Sequence, residues 1–291
     1  MPIDYLHDRI RKLKNPIVMD LGVKKDAIPD HLLSREGSMA AVYGCFCREL
    51  LAELRTVIPA VRFPFGAFAL LGQEGVAQLQ QLLAEAIQMG YYVLLDSPEI
   101  LSPWGADRAA ETIFDGEMFP CHGLLISPYI GSDGIKPFLP ACADRQKDLF
   151  VVVRSPNRSA AELQDLRTGS RLVHGAAAEL VDRFGREYVG KCAYSRVGAV
   201  VSAGTPESLR SLRAKYKSVF LLVDGVDYPS GSIKNCSYAF DRFGYGAAIC
   251  AGPSLTAAWR DGEGDGRDFA AQAATAAQRM QKNLQRYVSI L

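Results

Sequence analysis

No cysteine pair with CxxC spacing, no His/Cys set at zinc spacing and no GxGxxG fingerprint occurs anywhere in the 291 residues. Seven cysteines, an odd number, without paired spacing argue against both a disulfide framework and a structural metal. Cys45 and Cys47 fall in the helical stretch "AAVYGCFCRELLAEL", where small side chains fill a helix flank. Charge of one sign is missing too. Lysine plus arginine number 33 against 32 acidic residues, so no general attraction to nucleic acid or to an acidic membrane is expected. No run reaches the roughly 18 apolar residues of a membrane span. The opening "MPIDYLHDRIRKLKNP" has Ile3, Leu6, Ile10 and Leu13 at helical spacing rather than the apolar core of a signal peptide, and a cytoplasmic protein is expected.

What is present is rhythm. Short apolar runs recur, "PIVMDL", "VRFPFG", "YYVLLD", "HGLLIS", "LFVVVR", "VGAVVS", "VFLLVD" and "GAAICA", each followed by a turn and a longer helical pattern. Near-continuous apolar strands alternating with helices signify a parallel sheet covered by helices. About eight such units after a leading helix predict an α/β fold, a (β/α)8 TIM barrel with an extra N-terminal helix, over 1–291 as one domain. A doubly wound open sheet is the alternative, without its usual glycine fingerprint. "GQEGVAQLQQLLAEAIQMG" places Val76, Leu79, Leu82, Leu83 and Ile87 on one stripe ending at Gly90, and "RDGEGDGRD" reads as a solvated connector.

In a barrel the chemistry sits where the strands end, in the loops that follow. The positions to watch are then Asp20 and Gly22, Arg62, Asp96, Ser127 to Gly131, Arg154 to Asn157, Ser202, Asp224 to Gly231 and Cys250 to Ser254. The histidines His7, His31, His122 and His174 are scattered, His122 at the opposite end of its strand, and surface or packing roles are expected for all four. No GxSxG elbow supports a serine triad.

The collinear series "NPIVMDLGV", "FGAFALLGQEG", "VLLD", "ISPYIGSDGIKPFL", "VVVRSPN" with "AAELQDL", "VVSAGTPESLRSLR" and "LLVDGV" resembles the longer, bacterial-type orotidine 5'-monophosphate decarboxylases over nearly the whole chain. The resemblance implies a DxKxxD motif after the third strand, a lysine on the second and an aspartate on the first. One lysine protonates the carbanion left by carbon dioxide, and the carboxylates crowd the departing charge. Here Asp96 keeps the first place of that motif, but Pro98 and Leu101 take the lysine and second aspartate, and no lysine occurs between Lys25 and Lys136. Arg62 stands at the second-strand lysine; an arginine keeps the charge but is a poor proton donor near neutrality. "DLG" replaces the family's "GLD", so glycine, Gly22, occupies the aspartate position and Asp20 lies two residues deeper on the same face, placed to pair with Arg62.

By the same resemblance Ser127, Arg154 and Asn157 are substrate-binding candidates, and Gly252 with Ser254 is what remains of a phosphate site. Pro253 replaces the phosphate arginine, Pro229 the glutamine and Pro156 a serine that contacts the pyrimidine. Asp96, Arg62 and Asp20 are the candidate catalytic set. The implied protein is a decarboxylase homologue with impaired or lost activity, no cofactor, a pyrimidine nucleotide as possible ligand, and a homodimer or a heterodimer with a related barrel joined at the open ends. Ile100, Leu101, Pro103 and Trp104 suit a packed or partner-facing mouth. A binder or enzyme for a different phosphorylated ligand, and an active decarboxylase with an unorthodox site, are the other readings. An open polar mouth, rather than one plugged by Trp104 and Leu101, separates them.

Overall fold

A computed structural model describes residues 1–35, 37–114, 118–144, 146–262 and 264–290. Eight strands close into one parallel barrel. They are β1 Ile17–Asp20, β2 Ala60–Pro64, β3 Tyr92–Asp96 and β4 Gly123–Ile126 in the first half. The second half has β5 Asp148–Arg154, β6 Val197–Ser202, β7 Leu221–Asp224 and β8 Ala247–Ala251. These are the eight apolar runs read from the sequence. Each is buried along nearly its whole length, because one face fills the barrel and the other meets helices. Closure comes from the pairing of β1 with β8, Ile17 opposite Ile249, and the open sheet considered above is thereby excluded.

The helix Pro2–Leu13 buries Ile3, Leu6 and Ile10 and covers the bottom of the barrel. Its side chains reach residues that precede strands: Tyr5 Oη donates to Gly90 O and Arg9 Nε to Pro59 O, while the Asp4 carboxylate accepts from Cys192 N. His122 belongs to this same end, with Nδ1 accepting from Val93 N at 3.0 Å. Burial, aided by the charge of Lys147, pushes its pKa down to about 4, so it is neutral and remote from the mouth.

The helix Gly72–Gln88 buries Leu79, Leu82, Leu83 and Ala86. It ends in a Schellman motif: Gly90 N bonds to Ile87 O, Tyr91 N bonds to Ala86 O, and Gly90 supplies the left-handed residue at φ 86°. An excursion after β5 carries a two-stranded ribbon, Arg167–Thr168 against Arg171–Leu172, and leads into the helix Val173–Gly185. All seven cysteines are free thiols. No helix among the described residues is long and apolar enough to cross a membrane.

Candidate functional site

Parallel register brings strand ends together at the mouth. Asp20 lies opposite Arg62 across β1 and β2, Pro64 opposite Asp96 across β2 and β3, and Ser202 opposite Asp224 across β6 and β7. Arg62 points inward, and barrel closure gives it carboxylates from three strands. Its Nη1 donates to Asp224 Oδ2 at 2.9 Å, its Nη2 donates to Asp20 Oδ2, and its Nε lies 3.8 Å from Asp96 Oδ2. Burial opposes the charge of Arg62, but Asp20, Asp224 and Asp96 outweigh it, and the guanidinium stays protonated at any accessible pH.

Asp96 stands differently from the other two carboxylates. It accepts no hydrogen bond from the described residues, and its Oδ1 is buried without a partner, as is Arg62 Nε. Burial raises its pKa, Arg62 pulls it back, and Asp20, Asp224 and Glu99 push it up again, to about 7. It therefore exchanges a proton near neutrality, the range in which a side chain serves as general acid or base.

The local sequence explains the fit. Asp20 accepts from Gly22 N at 2.9 Å, and a Cβ on Gly22 would stand 3.1 Å from Pro64 Cγ and 3.3 Å from Asp20 Oδ1. Glycine where the family has aspartate thus leaves room for the deeper Asp20. Asp224 is fixed by Gly225 N at 2.7 Å, with Gly225 at φ 80°.

The mouth is open. A cavity of about 390 Å³ lies over Arg62 and Asp96, walled by Pro98, Leu101, Ser127 and Tyr129. Trp104 does not plug it, being 72% exposed on the short helix Pro103–Ala109. A second cavity of about 320 Å³ holds Asp20, Lys24, Asp224, Asp227 and Gly252 on the β1, β7 and β8 side. Pro156 borders both, and a Cβ on Gly225 would lie 2.2 Å from its own Cβ, so a tight contact spans the mouth from the β5 loop to the β7 loop.

Other candidates from the sequence sit as follows. Ser127 lines the mouth, its Oγ accepting from Tyr129 N. Arg154 is buried and engaged: Nε and Nη2 each reach Asp165 at 2.9 Å and Nη1 donates to Ser155 O. Asn157 is exposed and accepts from Ser155 Oγ. The Gly252 N–H donates to Asp227 Oδ2 at 2.7 Å, and the helix beyond it, Pro253–Thr256, is a single turn with Ser254 exposed. A carboxylate therefore occupies the Gly252 donor, one of the N–H groups that the phosphate reading counted.

Asp224 and Asp227 fall in a strand-end stretch marked above, but neither they nor Asp165 was given a partner there. Asp224 had a signal, since "LLVD" ends as "VMD" and "VLLD" do. Nothing in the sequence marked the partners of Asp227 and Asp165, which are fixed only by folding. His174 packs, as expected, but beside the mouth, with Nδ1 3.0 Å from Gln164 O and 3.2 Å from Asp165 Oδ1. No group of three or more His, Cys, Asp or Glu placed to hold a metal occurs among the described residues.

Closure, helical jacket and a charged mouth at the strand ends place the chain in the class of (β/α)8 barrels with a mouth site. No protein-family model matches the sequence. Curated relatives narrow the class. An orotidine 5'-phosphate decarboxylase from Rhodopirellula baltica is 29% identical over 265 residues, covering 84% of this chain and 79% of that one. Another, from Caldicellulosiruptor bescii, is 27% identical over 274 residues, covering 89% and 90%. Among solved structures, the OMP decarboxylase of Leishmania donovani superposes with a TM-score of 0.72 at 24% identity, covering 97% of this chain and 99% of that one. The chain is a homologue of the orotidine 5'-phosphate decarboxylases.

Proposed function

We propose that this homologue has left the lysine-acid route of decarboxylation and works as a ligand-binding barrel whose mouth is organised by Arg62. One observation carries the reading: the inward cation at the mouth floor is an arginine held by Asp20 and Asp224, with Asp96 close by. Its guanidinium releases no proton to a carbanion near neutrality. Lys24 is the one lysine lining either mouth cavity, and it is exposed on the side of Pro156 away from Asp96.

Two further observations agree. Asp227 holds the Gly252 N–H and adds negative charge where a phosphate dianion would lie. The contact of Pro156 with Gly225 narrows the mouth between its two cavities. The open cavity favours a binder over a plugged scaffold. Leu101, Trp104 and Tyr129, 51%, 72% and 74% exposed around the rim, support pairing through the mouth with a second copy or a related barrel. A cytoplasmic setting fits the free thiols.

The test is turnover of orotidine 5'-monophosphate by the purified protein, with a calorimetric titration of uridine 5'-monophosphate on the same sample. We expect no turnover and no tight nucleotide binding. Enzyme-dependent loss of carbon dioxide would overturn the proposal.

A further inference from the structure

We propose that the mouth binds a primary ammonium carrying an aromatic or branched apolar group, with the ammonium against Asp96 and the apolar group in a side chamber beneath the β5 loop. The inference rests on the preceding reading and names the ligand class of the same site.

Charge is the first argument. Asp20 and Asp224 both bond to Arg62, so both terminal nitrogens of the guanidinium are engaged before the third carboxylate is counted. Asp96 is that third group, and it lines the cavity without a hydrogen bond while Arg62 Nε, 3.8 Å from its Oδ2, also lacks a partner. Three carboxylates about one cation leave negative charge at the floor, and Arg62 is the one cation lining this cavity. Such a floor repels a phosphate or carboxylate and favours a compact donor bearing positive charge. An ammonium brings three N–H groups and no acceptor, which suits a bare carboxylate in a partly dry site.

Shape is the second argument and is independent of the first. A chamber of about 320 Å³ shares Ser127, Tyr129, Val152 and Gln164 with the mouth. Beyond them its wall is Leu163 from the excursion with Val173, Ala177 and Leu180 from the helix Val173–Gly185. Its wall offers no carboxylate or basic side chain apart from His174, whose Nδ1 is engaged by Gln164 O and Asp165. The chamber reaches the lower size range of small-molecule sites, enough for a ring but not for a second polar head group. A polar floor and an apolar chamber that meet at these four shared residues favour a ligand with those two parts in that order.

The probes are 2-phenylethylammonium and 3-phenylpropionate, which share a ring and differ in the sign of the head group. Each is titrated calorimetrically into the intact protein at pH 7, in phosphate and in HEPES, neither of which presents a primary ammonium. The ammonium should bind, the propionate should not, and the heat of ammonium binding should differ between the buffers because protons leave the site. Burial, opposed by Arg62 and reinforced by Asp20, Asp224 and Glu99, holds Asp96 near half-protonation, and a bound cation shifts it to the anion. Asp96→Asn should weaken binding about tenfold to a hundredfold and abolish the buffer difference. Ala177→Trp, which fills the chamber and leaves the floor intact, should weaken the phenyl probe without restoring the propionate.

Binding of the propionate as tightly as the ammonium, undiminished binding in a folded Asp96→Asn protein, or no binding of the ammonium at all would each overturn the proposal. Orotidine 5'-monophosphate turnover on the same sample separates the two readings. Turnover with ammonium binding intact sinks the proposed function alone; neither turnover nor ammonium binding sinks the ligand class alone.

Discussion

Arg62→Leu tests the organisation of the mouth most directly. The substitution removes a cation whose side chain is 8% exposed and leaves Asp20, Asp96 and Asp224 facing one another. Removing one partner of a buried ion pair costs about 3–5 kcal/mol, a large share of the roughly 5–15 kcal/mol that holds a domain folded. That loss depends on pH in a way that a simple cavity does not. Without Arg62, which pulls it down, the Asp96 pKa, already raised to about 7 by burial, rises further above its unfolded value near 4. A carboxyl raised in the folded state binds more protons there, so the stability it allows is present at low pH and is lost as pH rises through the folded pKa. Each such carboxylate contributes up to about 1.4 kcal/mol per pH unit over that window. Urea denaturation at pH 5.5 and pH 8 should show a variant closer to wild type at the lower pH, with the full deficit at the higher. Equal deficits at both values, or a loss under about 1 kcal/mol at pH 8, would refute the ion-pair account.

Asp96, raised to about 7 by burial, is the wild-type counterpart of the same effect. Stability should fall as pH climbs from about 4 to 7, and Asp96→Asn should flatten that slope in denaturant melts. Gly22→Asp, which restores the family's aspartate, crowds Pro64 Cγ and Asp20 Oδ1 and should lower the melting temperature by an amount worth about 1–3 kcal/mol. Asp165→Ala leaves the buried Arg154 guanidinium without its two-point partner. Limited proteolysis should then cut the excursion of residues 155–172 faster than in wild type, with a loss of about 1–3 kcal/mol. Trp104→Ser with Leu101→Ser should shift sedimentation toward monomer if the rim is an interface; no change in a protein that sediments as a dimer would place the interface elsewhere.

Burial explains which parts of the architecture were legible before folding. A strand covered on both faces must be apolar along its length, so "LFVVVR" and "GAAICA" announce themselves, and the helical spacing of Ile3, Leu6 and Ile10 marks the helix below the barrel. The pairing of Asp20 with Arg62 was also readable, because strand periodicity keeps residues two apart on one face.

Two expectations read differently once the chain is closed. Arg154 looks in sequence like a free cation at a strand end, yet Asp165, on the excursion that follows, takes two of its nitrogens. Gly252 looks like an open N–H at a helix start, yet Asp227 from the neighbouring loop holds it. Neither partner is marked by spacing, since both reach their positions by loop paths that no periodicity fixes.

The sequence by itself determined the barrel, its bottom cover and the strand ends at which charge would gather. Those follow from local burial patterns, and each is written within a few neighbouring residues. Only the tertiary structure decided how that charge is shared: ring closure through β8 carries Asp224 on β7 to Arg62 on β2 and leaves Asp96 as the carboxylate without a hydrogen bond. Which charges neutralise one another depends on distances across the barrel, and those distances exist only when the first strand meets the last.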